Sequence, residues 1–398
     1  MKVELILPRR EPNKLVDIGF YVVPQTLSQL AAVTPRDIDV TLTDENYEDI
    51  DFGSAPDLVG ISVMTSQVNR AMEISAEYKR RGITVVWGGI HPTVVDQSDN
   101  PNIDSVVLGE AENIWPAVLH DFLEGKLKPR YKDDKPVDID AIPLPKRNTT
   151  YPKDLLVLES TLGSRGCIYT CSHCSSSLVY GRGIKMRSIS RVLEDIRNIR
   201  SKYVIFFDEN IFNKKSQGVE LMHQMAPLGK NSFVQIDPRS ALDERLAESL
   251  GQAGVKIALI GFESVNPENF GGNPKYVPPG LWPRIVENMH KYGIKIDGNF
   301  MLGLEHDGPD IFDRTNEAIR TAKIDFVGSS IVTPYPGTGL HAQLLREGRI
   351  LHHDWDKYDL RNVVFIPKLL TPSELQAGFG QLSTEHRTAF LHINEIFD

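Results

Sequence analysis

Cysteine is scarce in this sequence: three occur in 398 residues, and all three lie in one window, as Cys167, Cys171 and Cys174. Three clustered thiols exclude a conventional disulfide framework, because one thiol would be left over. They favour a reducing compartment, and we predict the cytoplasm. No apolar run approaches the roughly 20 residues needed to span a bilayer. The opening MKVELILPRR predicts a first strand and not a signal peptide.

The chain also lacks an excess of basic charge. It carries 53 acidic and 44 basic residues, for a net charge of −9. This balance disfavours a nucleic-acid partner and an anionic membrane surface. The apolar fraction of 41% and the charged fraction of 24% are ordinary for a globular protein. The length is large for one core, so we expect two domains and a tail.

Residues 1–140 alternate buried strands with amphipathic helices. The strand-like runs are KVELILP, IDVTLTDE, PDLVGISVMT, ITVVWGG and IDSVVLGE. Near-continuous apolar strands that alternate with helices predict an α/β domain, a doubly wound parallel sheet covered on both faces. Ligands bind such sheets at the carboxyl ends of the strands. The residues expected at those ends include Thr65, Gly88, Gly89, His91, Gly109 and Glu110.

A second alternation follows a stretch rich in proline and charge, whose last part, 141–154, we interpret as a linker. Six strand-like runs are predicted at 155–161, 203–208, 232–237, 255–263, 294–303 and 326–332. They predict a partial (β/α)6 barrel over 155–340, with its active site at the carboxyl ends of the strands. Residues 341–398 are interpreted as a short C-terminal extension, which predicts an open barrel mouth.

The three thiols follow the first predicted barrel strand with the spacing C-x3-C-x2-C. Structural zinc sites usually have four ligands, so zinc would need His173 or a distant histidine as the fourth. A redox-regulatory cysteine group is a second alternative. The third is a 4Fe–4S cluster held by three cysteines, which leaves one iron with an open coordination position. An open position is a property of catalytic metals, so the number of thiols favours this third interpretation.

The cysteine motif resembles that of the radical S-adenosylmethionine (SAM) superfamily. Arg165, Gly166 and the three cysteines match, and His173 stands at the aromatic-type position before the last cysteine. The resemblance implies that SAM chelates the open iron. One electron from the cluster would cleave SAM to a 5′-deoxyadenosyl radical, which abstracts a hydrogen atom from the substrate. It also implies an electron donor such as flavodoxin or ferredoxin.

Further motifs stand in family order at the ends of later predicted strands. They are FFDEN (206–210), GFES (261–264), MLGLE (301–305) and TPYPGT (333–338). The resemblance implies SAM contacts for Asp208 and Glu263. Each motif alone is more often an ordinary turn, and the order in which they occur is the stronger signal.

The N-terminal half resembles the cobalamin-binding-type domain that precedes the barrel in one branch of this superfamily. The segments that carry the resemblance are VGISVMTS, VVWGGIHPT and VVLGEAE. It implies cobalamin contacts for Ser62, Thr65, Gly88, Gly89, His91, Gly109 and Glu110, although a structural role for His91 is an equal alternative. In DENYED (44–49), Asn46 occupies the position where many such domains carry a cobalt-ligating histidine. Some domains of this type have lost the cofactor, so both alternatives stay open.

The leading functional hypothesis from this resemblance is C-methylation of an unactivated carbon. In that chemistry one SAM replenishes methylcobalamin and a second SAM supplies the radical. The substrate would be a small metabolite or a peptide or protein side chain. One alternative is an oxidative cyclisation or rearrangement without methyl transfer. Another is a non-enzymatic role, as a zinc-stabilised binding module or redox sensor.

Overall fold

The computed structural model describes residues 1–10, 20–97, 99–147, 156–270 and 272–386. Within these ranges the strands are β1 (Lys2–Leu7), β2 (Phe20–Val22), β3 (Asp39–Asp44), β4 (Leu58–Ser62), β5 (Thr84–Gly88), β6 (Ser105–Leu108), β7 (Arg130–Lys132), β8 (Leu156–Thr161), β9 (Ser164–Arg165), β10 (Lys185–Met186), β11 (Tyr203–Phe206), β12 (Asn231–Ile236), β13 (Val255–Glu263), β14 (Lys295–Leu302) and β15 (Phe326–Ile331). The second half of the predicted linker, 148–154, and the end of the predicted extension lie outside the described residues.

The described helices lie mainly between the strands. They are α1 (Gln25–Val33), α2 (Val68–Arg80), α3 (Ile90–Val94), α4 (Trp115–Leu123), α5 (Ser176–Tyr180), α6 (Ile189–Asn198), α7 (Lys215–Met225), α8 (Pro238–Ala241), α9 (Glu244–Gln252), α10 (Trp282–Lys291), α11 (Ile311–Ala322), α12 (Gly339–Arg346) and α13 (Pro372–Glu385). None of these helices combines the length and the apolar character that crossing a bilayer would require.

The N-terminal sheet is parallel, with the strand order β3-β1-β4-β5-β6-β7. Its central strand β4 is buried along almost its whole length, as expected for a parallel strand covered on both faces. The helix α2 buries Val68, Ala71, Ile74 and Tyr78, whose spacing of three and four places them on one face. This architecture matches the predicted doubly wound domain.

The second sheet has the order β15-β14-β13-β12-β11-β8-β2 and is also parallel. Six of its strands are the six predicted barrel strands, and the described bounds lie within two residues of the prediction. The outer core cluster buries one face of β12, β13 and β14 together with residues of the surrounding helices. The opposite face lines the concave interior of the half-barrel, which we call the lumen.

The seventh strand of this sheet comes from the N-terminal half of the chain. The β2 segment pairs in parallel with β8, with Tyr21 opposite Val157. The Ser160 hydroxyl adds a hydrogen bond of 3.2 Å to the Val23 carbonyl. A segment within the predicted first domain therefore completes the edge of the second sheet, and the two halves share backbone hydrogen bonds.

The segment after β15 is packed into the molecule over its described part. Leu375, Phe379 and Leu382 of α13 belong to the same buried cluster as the barrel helices. Upstream, the Trp355 ring lies edge-on against His91 of the N-terminal domain, with 5.1 Å between ring centroids. The described part of the predicted C-terminal extension therefore contacts both the barrel helices and the N-terminal domain.

Candidate functional site

The three cysteines lie on a loop between β9 and α5, directly after the first barrel strand. Gly166 opens this loop with φ of +87°, a conformation that favours glycine. A Cβ at this position would also collide with the Gly183 carbonyl oxygen. Within the loop, the Cys174 amide donates to the Cys171 carbonyl at 3.2 Å, which turns the chain between these two thiols. Position 166 therefore requires glycine because of its backbone conformation and its close approach to Gly183.

The neighbouring strand β11 holds this loop through the segment that follows it. Asp208 is 2% exposed and accepts hydrogen bonds from the Gly163 amide at 2.8 Å and the Ser164 hydroxyl at 2.6 Å. Burial raises the pKa of Asp208 to about 6. Asn213 donates to the Gly166 carbonyl at 2.9 Å and accepts from the Ile168 amide at 3.3 Å. Asp208 thus positions the cysteine loop, while the SAM contact predicted for it stays a prediction.

The donor set of the loop fits an iron–sulfur cluster. The three thiols are unpaired, with Cys167 and Cys171 half-buried and Cys174 exposed. Within the described ranges, no three His, Cys, Asp or Glu side chains are grouped closely enough to hold a single metal ion. A four-iron cluster does not require such a grouping, because each thiolate binds a different iron. Asn273 lies beside the loop, with its amide nitrogen 3.8 Å from the Cys171 Sγ.

Glu263 lies at the carboxyl end of β13, where the register with β14 shifts between Gly261 and Glu263. Its φ of +66° is uncommon for a residue with a side chain and marks a strained position. Its carboxylate forms an ion pair with Lys275. Strain of this kind is concentrated at ligand sites, and the SAM contact of Glu263 stays a prediction.

The cysteine loop is joined to the N-terminal domain by an ion-pair group that we call the interdomain clamp, made of Glu110, Glu112, Arg165 and Lys185. Arg165 Nη1 lies 2.8 Å from a Glu110 oxygen, and its Nη2 pairs with Glu112. Lys185 pairs with the other Glu110 oxygen. The Arg165 side chain is only 9% exposed. Since Arg165 stands two residues before Cys167, the clamp fixes the loop against the carboxyl end of β6.

Breaking the clamp should loosen the cysteine loop. In Arg165→Ala, two largely buried carboxylates lose their main cation, which typically costs about 3–5 kcal/mol. We expect a lower thermal midpoint for the cofactor-free chain and faster alkylation of the three cysteines by iodoacetamide. Arg182→Ala is the matched control, because Arg182 is an exposed arginine in the same loop region. Equal alkylation rates in Arg165→Ala and wild type would contradict a role for the clamp in holding the loop.

The carboxyl edge of the N-terminal sheet, which the clamp joins to the cysteine loop, has room for a side-chain atom at Gly88. Gly88 pairs with Ser62 across β5 and β4, and a Cβ at Gly88 would have no neighbour closer than 3.9 Å. The half-buried Ser62 hydroxyl has no hydrogen-bond partner among the described residues. Gly89 differs, because its φ is +101° and a Cβ would lie 2.8 Å from the Val63 carbonyl oxygen. An unpartnered hydroxyl beside a backbone position without a side chain fits a bulky polar cofactor such as cobalamin.

Two other predicted residues of this edge are engaged with the protein. His91 is fully buried, and its ring nitrogens lie 3.4 Å from Thr65 Oγ1 and from Gln97 Nε2. Burial lowers the pKa of His91 to about 4. These contacts favour the structural alternative for His91. The Glu110 carboxylate is likewise occupied by the clamp, so its cofactor contact stays a prediction, as do those of Thr65 and Gly109.

Asn46 offers no substitute for the missing histidine. Its amide nitrogen donates to Asp44 at 2.8 Å, and its oxygen accepts from the Arg10 amide at 3.0 Å. The side chain is buried, and these bonds tie the end of β3 to the segment after β1. The structure therefore gives this position a role in the backbone turns at the sheet edge.

The TPYPGT segment is the third element that meets at this site. A Cβ at Gly337 would lie 3.0 Å from Val94 of α3 and 3.1 Å from Leu178 of α5. The Leu340 amide donates to the Ser172 carbonyl at 2.9 Å, which bonds the first turn of α12 to the cysteine loop. The loop after the last barrel strand therefore closes the junction between the cysteine loop and the N-terminal sheet.

The structure thus brings the predicted thiols, Asp208 and Glu110 to one junction. Sequence reasoning missed Glu112 and Lys185 of the clamp. The pattern E-A-E after the fifth N-terminal strand and the arginine before Gly166 are the signals that point to a pairing. No sequence signal indicated the contact of Trp355 with His91, because it joins residues 264 positions apart.

Comparison with known proteins supports both halves of this junction. The family model "B12 binding domain" matches residues 11–119, and the model "Radical SAM superfamily" matches residues 161–321. Bacteriochlorophyllide d C-12(1)-methyltransferase of Chlorobaculum tepidum is 31% identical, over 96% of this chain and 86% of the relative. Bacteriochlorophyllide d C-8(2)-methyltransferase of the same organism is 27% identical, over 85% and 79%.

A solved structure shares the fold. The radical SAM methyltransferase TsrM from Kitasatospora setae, with cobalamin and a 4Fe–4S cluster bound, superimposes with a TM-score of 0.71. The sequence identity is 18%, and the match covers 87% of this chain and 75% of TsrM. The predicted fold class, the iron–sulfur cluster, SAM and cobalamin are confirmed by these comparisons, and the zinc-module and redox-sensor alternatives are discarded.

Proposed function

This chain belongs to the cobalamin-dependent radical SAM methyltransferases, and from that membership we propose that it transfers a methyl group to a carbon atom of a tetrapyrrole. The observation that carries the proposal is the junction itself: a loop with three thiols is clamped by Arg165 against the edge that holds Gly88 and Ser62. The tetrapyrrole class is supported by two relatives that act on bacteriochlorophyllide d and match most of this chain.

The chain's own residues have distinct tasks in this proposal. Cys167, Cys171 and Cys174 would hold the cluster, and the Gly88 backbone with the Ser62 hydroxyl would receive part of the cobalamin. When bound, the cluster with SAM supplies hydrogen abstraction and cobalamin supplies the methyl group. Asp208 holds the cysteine loop in position through its two hydrogen bonds.

The clamp would set the distance between the two cofactor sites. Glu110 and Glu112 stand on the N-terminal domain and Arg165 stands on the cysteine loop, so their ion pairs hold the two sites in one geometry. Ion pairs that are largely removed from water hold their partners more rigidly than exposed pairs. An external one-electron reductant such as flavodoxin or ferredoxin and a reducing cytoplasm belong to the same proposal, since the thiols must stay reduced.

The function is tested with the full chain, reconstituted anaerobically with iron, sulfide and cobalamin. With SAM, a reductant and bacteriochlorophyllide d, we expect a methylated pigment together with S-adenosylhomocysteine and 5′-deoxyadenosine by mass spectrometry. Tryptophan, present in another TsrM structure, serves as the comparison compound. Formation of 5′-deoxyadenosine with an altered but unmethylated pigment would contradict methyl transfer and favour the cyclisation alternative. Absence of any altered pigment would contradict the tetrapyrrole class.

A further inference from the structure

The lumen face of the half-barrel carries a buried apolar cluster, which we call the floor. A buried cluster on this face contains Leu158 of β8, Phe233 of β12, Ile257 of β13 and Phe326 of β15. Half-buried Ile205 of β11 packs against it. The strand β14 contributes Asp297 instead, which is 4% exposed. A carboxyl group therefore interrupts a floor to which the neighbouring strands contribute hydrocarbon side chains.

The strand register places Asp297 on the lumen face. Ile296, Phe300 and Leu302 of the same strand belong to the outer core cluster, which packs against the helices. Because side chains alternate along a strand, Asp297 faces the opposite side. Asp297 pairs with Leu259 on β13 and with Phe326 on β15, and Phe326 is a member of the floor.

The Asp297 carboxyl group is isolated from the protein's own donors. Its Oδ1 atom is buried without a hydrogen-bond partner, and no described residue donates to or forms an ion pair with either oxygen. Burial raises the pKa of Asp297 to about 6. Asp307 is as deeply buried, yet it accepts from two backbone amides at 2.9 Å and from Asn269 at 2.7 Å. A buried polar group without partners is costly, and in proteins such groups call for an explanation.

A second polar side chain lies two residues further along the same face. Asn299 is half-buried, and its neighbour across the strand pair is Gly328. A Cβ at Gly328 would collide with the Asn299 amide, so this glycine gives the amide its room. The amide nitrogen of Asn299 is 3.5 Å from the Asp297 carbonyl, a weak contact at best. A carboxyl acceptor and an amide therefore lie two residues apart on the lumen face of β14.

We propose that Asp297, with Asn299 beside it, accepts a hydrogen bond from an N–H or O–H group of the methyl acceptor and so orients the acceptor in the lumen. This inference rests on the proposed function, since it assumes that the acceptor enters the lumen. SAM also carries N–H and O–H donors, and the experiment separates the two ligands. The role is one of binding and orientation, which decides which carbon is presented for methylation.

The test compares Asp297→Asn and Asp297→Leu with wild type and with Asp313→Asn, an exposed aspartate on the following helix. In the cofactor-free chain we expect Asp297→Leu to unfold at the same temperature or roughly 2–4 °C higher, because the unpartnered carboxyl is replaced by a group that suits the floor. In the reconstituted enzyme, SAM affinity should stay within twofold. Binding of bacteriochlorophyllide d, followed by its absorbance, should weaken at least tenfold, and methylated product per 5′-deoxyadenosine should fall at least tenfold.

Each other outcome overturns the inference in a recognisable way. A lower unfolding temperature in Asp297→Leu would make the carboxyl a structural group. Weaker SAM binding in Asp297→Asn would assign it to SAM, and unchanged pigment binding and product ratio would remove any role in acceptor recognition. If wild type itself neither binds nor methylates the pigment, the proposed function fails, which is distinct from a failure confined to the Asp297 variants.

Discussion

Replacing Cys171 by alanine in the full chain should abolish cluster assembly and SAM cleavage. The three thiols on the loop between β9 and α5 are the whole cysteine content of the protein, so no fourth cysteine can replace a lost ligand. A cluster that leaves one iron for SAM has no spare protein ligand, and its loss removes the electron source for SAM cleavage. Iron content should fall from about four per chain to near zero, and 5′-deoxyadenosine formation by more than about 100-fold.

The fold should tolerate this change. The Cys171 thiol is half-buried, and among the described residues its hydrogen-bond contact is a long one, 3.8 Å from the Asn273 amide nitrogen. The thermal midpoint of the cofactor-free chain should therefore stay close to wild type. Ser172→Ala is the matched control, because the Ser172 side chain is exposed and only its carbonyl bonds to Leu340. A Cys171→Ala protein that still carried about four irons and cleaved SAM at the wild-type rate would refute the assignment of the three ligands.

The order of the βα units was predictable from the sequence because parallel strands are buried on both faces and form short apolar runs. The predicted run at 255–263 coincides with β13, and 326–332 differs from β15 by one residue. The cysteine motif was also predictable, since its spacing is local. Such patterns depend on neighbouring residues alone and need no knowledge of tertiary contacts.

The features that could not be predicted from the sequence depend on contacts between distant segments. The pairing of β2 with β8 joins Tyr21 to Val157, and nothing in a three-residue strand specifies its partner. Glu110 and His91, for which cofactor contacts were predicted, follow strands at the carboxyl edge of the N-terminal sheet, and both are engaged with protein groups. The residue type alone does not tell whether a carboxylate or imidazole contacts a ligand or a neighbouring side chain. Only the packed structure separates the two roles.

In the N-terminal domain, the largest changes in stability and cobalamin affinity are expected when either of two adjacent glycines, Gly88 or Gly89, is replaced by alanine. At Gly89, φ is +101°, and a Cβ would lie 2.8 Å from the Val63 carbonyl oxygen and 2.9 Å from the Val63 nitrogen. Backbone strain of this kind costs about 1–3 kcal/mol, and the collision adds to it. Gly89→Ala should therefore lower the thermal midpoint of the cofactor-free chain and weaken cobalamin binding as a consequence of the damaged edge.

Gly88→Ala should behave differently, because its backbone is not in the left-handed region and the nearest atom to a Cβ would be 3.9 Å away. The cofactor-free protein should unfold at the wild-type temperature. A methyl group at this position nevertheless occupies space at the carboxyl end of β5, where ligands of such sheets bind. If cobalamin approaches the backbone here, its dissociation constant, measured by absorbance titration, should rise at least tenfold in Gly88→Ala. Wild-type affinity in a stable Gly88→Ala protein would place the cofactor away from this glycine, and wild-type stability in Gly89→Ala would show that the strained backbone at Gly89 does not require glycine.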